Sequence, residues 1–218
     1  MGTVGLFYVG AVLFLNGMML LGKVDARAVG LFNLFVGVLQ VVVPTVLLAQ
    51  AGGDPAKTLA AAGIYLFGFT YLYVGLNLLT GADSTGVGYY SLFVSISALG
   101  FSFVNFRIVH DRPFGVIWLY WSFLWFLFFL LLGLKRDHLT AYTGWVTAVE
   151  GWVTAAIPAF LILAGYWKHT ATIAVLLAGF GVPMAVGLWP LTRRSRQPTQ
   201  TSLAGGSSGG PAVRAGSA

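Results

Sequence analysis

The chain has 218 residues, of which 58% are hydrophobic and 8% charged, and its mean hydropathy is +0.85. Soluble domains carry about 25% charged residues, so this composition indicates an integral membrane protein, and the lack of cysteine excludes disulfides, thiolate metal sites and cysteine nucleophiles. The net charge of +6 is not a nucleic-acid signature, because four of the twelve basic residues, Arg193, Arg194, Arg196 and Arg214, lie in the C-terminal tail, where they serve topology.

Seven apolar segments follow one another at roughly 4–22, 28–50, 58–80, 87–107, 114–134, 142–167 and 170–191. Each is close to the length of about 20 residues that a helix needs to cross a bilayer core, so the expected fold class is an all-α integral membrane bundle. No basic residue precedes the first segment, the earliest being Lys23, which reads as a retained first span and not a cleaved signal peptide. Gly/Asp/Pro and Gly/Ser/Thr turns surround Asp54 and Asp83, and Pro44, Pro158 and Pro183 fall inside spans, where neighbours must satisfy the freed carbonyls. Gly5, Gly10, Leu13 and Gly17 of the first segment align at a constant offset with Gly63, Gly68, Tyr71 and Gly75 of the third, which suggests repeated hairpins with close backbone approach. The tail from 193 to 218 is Gly/Ser-rich and expected to be disordered. Loops 1–2, 3–4 and 5–6 together with the tail hold eight Lys and Arg, the remaining loops four. The positive-inside rule then places the N-terminus outside and the tail in the cytoplasm, and the tail decides the count.

Two features single themselves out. The fifth segment, FGVIWLYWSFLWFLFFLLLGL from Phe114 to Leu134, sets Trp118, Trp121 and Trp125 three and then four residues apart, on one arc of a helix. Tryptophan normally collects at the membrane interface, where its N–H finds a partner, so three in one mid-depth stripe read either as the lining of a passage or as a seam of bulky rings. The second feature is Glu150, the acidic residue placed in mid-span; the other five acids sit in loops or at span ends. A carboxyl at the bilayer centre costs roughly 2.5–3.5 kcal/mol on insertion scales and usually faces a bundle interior or a cavity. Its helical neighbours Thr147, Gly151 and Thr154 make that face small and polar, and the alternative role is a protonated carboxyl bridging helices. Asn16, Asn33, Gln40, Thr70, Tyr71, Tyr73 and Asn77 add neutral polar groups suited to helix–helix hydrogen bonding or to a neutral solute. No H-E-x-x-H motif, intramembrane Asp pair or span-embedded histidine is present, and the seventh segment has no Lys for a retinal Schiff base, so an enzyme, a metal and a cofactor are not expected.

The blocks LFYVGAVLFLNG (6–17), GKVDARAVGLFNLFVG (22–37), LFGFTYLYVGLN (66–77), YSLFV (90–94), IWLYWSFLW (117–125) and WVTAVEGWVTAAIPAFL (145–161) together resemble the family of urea channels and amide transporters that includes the acid-activated channel UreI and the AmiS proteins of amidase operons. The resemblance runs from Leu6 to about Trp167 and is closer to the AmiS branch. It implies a bundle of six transmembrane helices around a central pore in 1–167, extended here by an additional transmembrane helix in 168–192 and the cytoplasmic tail in 193–218. It further implies a homo-hexamer with one pore per protomer in a bacterial inner membrane, and a slot lined by Leu6, Val9, Leu13, Phe67, Tyr71, Trp118, Trp121 and Trp125, with Glu150 as the family's intramembrane glutamate. The expected function is a passive channel for urea or short-chain aliphatic amides, in which Tyr hydroxyls, indole N–H groups and Glu150 exchange hydrogen bonds with the solute. A proton-coupled amide symporter using Glu150 is the alternative, and a receptor or structural protein with an aromatic core is a further one. The seventh segment departs from the six-span pattern, and His110 and His169 are the histidines expected in outer loops, which argues against acid gating.

Overall fold

Acidic side chains start several of the helices. Asp25 accepts from the N–H groups of Arg27 and Ala28 at 2.9 and 3.1 Å, Asp54 from Ala56 and Lys57 at 2.8 and 3.3 Å, and Asp111 from Phe114 at 3.2 Å. Each satisfies donors that a helix N-terminus leaves without an intrahelical partner. The loop acids thus have a structural use, which their position outside the apolar segments already hinted at.

The computed structural model describes residues 2–194. Among the described residues, seven helices are long and apolar enough to cross a membrane: α1 (Gly2–Leu20), α2 (Ala26–Ala49), α3 (Pro55–Thr80), α4 (Thr85–Val109), α5 (Arg112–Gly133), α6 (Asp137–Leu163) and α7 (Ala171–Leu188). A short helical turn, Leu191–Arg194, follows, and the expected disordered tail lies outside the described residues from 195 onward. Each expected segment overlaps one helix. The sixth ends at Leu163, before the apolar sequence runs out at Trp167, because Gly165 takes φ +76°. The N–H groups of Gly165 and Tyr166 turn back to Ile162 and Leu161 at 3.1 and 2.8 Å, closing the helix by a Schellman motif. Stretches of π-helix interrupt α4 at Asn105–Val109, α5 at Phe129–Gly133 and α6 at Gly151–Ala156. The last ends two residues before Pro158, which has no N–H to return to the carbonyl four residues earlier.

The helices associate as three close pairs, α1 with α6, α2 with α3 and α4 with α5. Lipid tails are as apolar as leucine, so pairing depends on close packing and interhelical hydrogen bonds. A Cβ on Gly10 or Gly17 would meet the Gly151 and Gly144 carbonyls of α6 at 2.7 and 2.6 Å; on Gly68 or Gly75 it would meet the Gln40 and Gly30 carbonyls of α2 at 2.8 and 2.9 Å. The constant glycine offset between the first and third segments therefore records the same requirement twice, met by different partner helices. The α4–α5 pair uses hydroxyls: Ser95 donates to the Ser122 carbonyl at 2.8 Å, Ser122 returns a bond to the Ser95 carbonyl at 2.9 Å, and Ser102 donates to Gly115 at 2.8 Å.

The α7 helix lies at the periphery, with 11% of its span buried. Tyr120 of α5 donates to the Leu177 carbonyl at 2.6 Å, Tyr142 of α6 to the Ala185 carbonyl at 3.1 Å, and Trp189 sets its ring edge-on to Tyr142 at 5.5 Å. In the preceding loop His169 Nδ1 lies 2.7 Å from Asp111 Oδ2, tying α7 to the start of α5.

Candidate functional site

Helices α1, α3 and α5 face one another and enclose two cavities. One, of about 640 Å3, opens near the N-terminal end of α1 and is lined by Leu6 and Val9 of α1, Phe67 of α3, Trp118 and Trp121 of α5, and Gln40 of α2. The other, of about 450 Å3, lies toward the opposite end and is lined by Leu13, Asn16, Thr70, Tyr71 and Trp125. Passing along each helix, the boundary between them falls between Val9 and Leu13, between Phe67 and Thr70, and between Trp121 and Trp125. Those three steps are at one level of the bundle, so the side chains there form a constriction with a cavity on each side.

Phe67 is the hub of that constriction. Its ring lies 4.9 Å from Trp121 and 5.1 Å from Trp125, both edge-on, and 5.6 Å from Trp118 in a stacked arrangement, while Trp118 and Trp121 meet edge-on at 4.9 Å. Phe101 of α4 stacks on Trp118 at 4.6 Å. Mixed stacked and edge-on contacts are those favoured by the ring quadrupoles, and each is worth about 0.5–1.5 kcal/mol beyond area burial. Sequence reasoning missed Phe101, because nothing in its local pattern distinguishes it from the outward-facing Phe93 and Phe103 on the same helix.

Of the nine residues expected at the site, Leu6, Val9, Leu13, Phe67, Tyr71, Trp118, Trp121 and Trp125 line the two cavities. Glu150 lines neither. It is fully buried, and neither carboxyl oxygen has a hydrogen-bond partner among the described residues. It follows Tyr142 by eight residues on α6, and Tyr142 and Tyr120 are the tyrosines whose hydroxyls bond to α7. The Glu150 carboxyl is not part of either cavity lining.

The indole N–H groups are also used differently from the expectation. Trp121 Nε1 donates to Thr154 Oγ1 at 3.0 Å and Trp125 Nε1 to Thr70 Oγ1 at 3.2 Å. Each threonine in turn donates to the carbonyl four residues back in its own helix, Thr154 to Glu150 at 2.6 Å and Thr70 to Leu66 at 2.7 Å. Both donors of each indole–hydroxyl chain are thus spent within the protein, and at the constriction these rings offer carbon faces and edges. Thr70→Val and Thr154→Val keep the side-chain shape and remove the acceptor. Either should free its indole, costing about 1–3 kcal/mol for the unpaired N–H, and blur discrimination among solutes by size. Red-shifted, broadened tryptophan emission with unchanged oligomer size is the expected readout; an unaltered spectrum in both variants would mean that the threonines do not hold the rings.

The floor of the second cavity is made partly by the loop between α3 and α4, where Ala82 and Ser84 reach it. Asn77 fixes this loop by donating to the Ala82 carbonyl at 2.6 Å, and Lys135 Nζ reaches Asp83 Oδ2 at 3.0 Å and Ser84 Oγ at 3.1 Å. Hydrogen bonds from Thr85, and then from Lys135, push the Asp83 carboxyl down to about 2. A lowered value means that the contribution of this carboxylate to stability is present above its unfolded value of about 3.9 and is lost as pH falls through about 2. Lys135→Ala should move the Asp83 titration upward, measurable by carboxyl NMR, and leave solute flux at neutral pH independent of that titration. An unmoved Asp83 titration would show that the lysine does not contribute.

A model of the AmiS/UreI family of transporters matches residues 1–166. The chain belongs to the AmiS/UreI family. Among relatives of this AmiS/UreI chain, a protein of Rhodococcus erythropolis named as the transporter AmiS2 is 55% identical over 179 residues, covering 82% of this chain and 87% of the other. A protein of Mycolicibacterium smegmatis named as a transporter of amidate substrates is 52% identical over 202 residues, covering 93% and 95%. The acid-activated urea channel of Helicobacter pylori is 32% identical over 190 residues, covering 74% and 97%. The structure of the Helicobacter pylori urea channel in its closed state superposes with a TM-score of 0.70 at 33% identity, covering 77% of this chain and all of that one. The higher identity to the AmiS-type relatives agrees with the branch expected from the sequence blocks. The family match ends at 166, before α7 begins at Ala171.

Proposed function

We propose that this AmiS/UreI family member is a passive channel that conducts urea and short-chain aliphatic amides through the aromatic slot. The observation that carries this reading is the pair of cavities meeting end to end at one constriction of packed rings inside a single chain. Moving an amide-like group unpaired into hydrocarbon costs about 4–8 kcal/mol, and a slot with polar groups on both sides of a short apolar neck lowers that barrier. Ions lose their hydration at the neck without a compensating charge, and are excluded. The names of the relatives, one group concerned with amidates and the other with urea, are consistent with small planar amides as solutes.

In this reading 1–167 is the channel bundle, with Leu6, Val9, Leu13, Phe67, Tyr71, Trp118, Trp121 and Trp125 walling the path, and 168–192 is an added peripheral span. Each protomer holds its own pore, and the protomers assemble as a homo-hexamer, as the resemblance implies; the mass of the detergent-solubilised complex tests that number. The Lys and Arg distribution supports an orientation with the first cavity facing outward and the second facing the cytoplasm, in a bacterial inner membrane as the resemblance implies. Transport, not catalysis, is the activity.

Stopped-flow swelling of proteoliposomes with urea, acetamide, propionamide and glycerol tests the channel directly: saturable or concentrative uptake, or no flux above protein-free vesicles, would overturn it. Flux is expected to change little between mildly acidic and neutral outside pH. His169 already contacts Asp111 at 2.7 Å and ties its loop to the start of α5. A steep rise on acidification would contradict that expectation. The second reading, a proton-coupled symporter, is favoured by one observation, the buried carboxyl of Glu150 without a hydrogen-bond partner.

A further inference from the structure

The buried stripe of α2 carries two primary amides two helical turns apart, Asn33 and Gln40, and they are treated differently. Asn33 is paired amide to amide with Asn16 of α1: each donates its Nδ2 to the other's Oδ1, at 2.7 and 3.2 Å. Gln40, at 2% exposure, has its amide oxygen Oε1 buried without a hydrogen-bond partner among the described residues. It also lines the first cavity, and is the residue by which α2 reaches it.

Glycines let the neighbouring helices pack closely around Gln40. The α1 residue beside it is Gly5, where any Cβ would run into the Gln40 amide oxygen. Four residues on, Pro44 has no N–H to return to the Gln40 backbone carbonyl, and α3 approaches that carbonyl at Gly68, the next glycine with no room for a Cβ. A buried polar group left unpaired destabilises a fold, so one that borders a cavity is retained for something that enters the cavity.

We propose that Gln40 is a solute-binding group of the first cavity, pairing with a primary amide or urea as Asn33 pairs with Asn16. Acetamide and propionamide carry the same terminal group as the side chains of Asn and Gln, and they present one acceptor and two donors to the matching atoms of Gln40. The pair forms above the constriction, on the wall opposite carbon-faced rings, so the solute arrives at Phe67 already oriented with its alkyl end free. This inference rests on the channel reading, because it takes the cavity to be the solute path.

The test uses the full-length protein in proteoliposomes, with acetamide as the probe and Gln40→Met as the variant, since methionine keeps the length of the side chain and removes both hydrogen-bonding roles. Acetamide permeability should fall about fivefold, the effect of losing about one hydrogen bond, while the thermal unfolding midpoint of the purified protein stays the same or rises. Gly5→Ala, which crowds the same amide from α1, should lower acetamide permeability in the same direction. Unchanged acetamide permeability in Gln40→Met, or a loss accompanied by a lower unfolding midpoint, would assign Gln40 to helix packing and overturn the proposal. Failure of the wild-type protein to conduct acetamide is a different result, visible without any variant, and would sink the channel reading together with this one.

Discussion

Trp121→Ala should collapse the ranking of solutes by size. The indole is 3% exposed, packs against Phe67 and Trp118, and is held by Thr154, so no neighbour is free to swing into its place. Removing a buried tryptophan costs about 3–5 kcal/mol of stability, and because interiors relax only partly, most of its volume becomes passage. A single methylene in a fitted apolar site is worth about 1–3 kcal/mol, or about tenfold and more in discrimination. The ratio of urea to butyramide permeability should therefore drop by at least about tenfold. Trp125→Ala should act alike from the other side of Phe67, whereas Leu119→Ala, on the exposed face of the same helix, should leave the ranking intact. If both tryptophan variants assemble normally and keep the wild-type ranking, the rings are a packing seam and the slot lies elsewhere.

Glu150→Gln and Glu150→Leu separate a channel from a proton-coupled carrier. The carboxyl lines neither cavity and has no hydrogen-bond partner among the described residues. A channel therefore keeps most of its acetamide flux in both variants, and the leucine variant gains stability, since replacing an unsatisfied buried polar group by an apolar one of similar shape removes a penalty of about 1–3 kcal/mol. Had the carboxyl met the solute in the slot, as the sequence alone led one to expect, leucine would lose much more flux than glutamine. A symporter gives a third pattern: glutamine, which cannot release a proton, abolishes coupled uptake as thoroughly as leucine. Measuring the pair with and without an imposed pH gradient distinguishes the three, and equal, near-complete loss in correctly assembled variants would remove the passive channel.

The contrast between Trp121 and Glu150 shows what a sequence pattern can carry. Three tryptophans at three- and four-residue spacing define one helix face whatever that face meets, and in the structure it meets Phe67 and the cavities. Glu150 stands out in the sequence because it is ionisable in an apolar span, but that property is the same on every side of α6. Which side of α6 meets the cavities is set by how that helix packs against α1, and Glu150 falls outside both linings. The roles of Thr70 and Thr154 are of the same kind: a threonine hydroxyl returning to its own helix looks identical in sequence whether or not an indole from α5 also reaches it.

By itself the sequence determined the seven spans, their loop acids, the helix face that carries the tryptophans and the family, because hydropathy, residue spacing and block similarity are properties of contiguous residues. Only the tertiary structure decided which polar groups remain unspent. Asn33 and Gln40 are both amides on one stripe of α2, yet one is closed by Asn16 and the other keeps an amide oxygen without a partner among the described residues, beside Gly5. A hydrogen-bonding group has a fixed capacity, and whether that capacity is available to a solute depends on partners that sit on other helices, at distances no local pattern encodes.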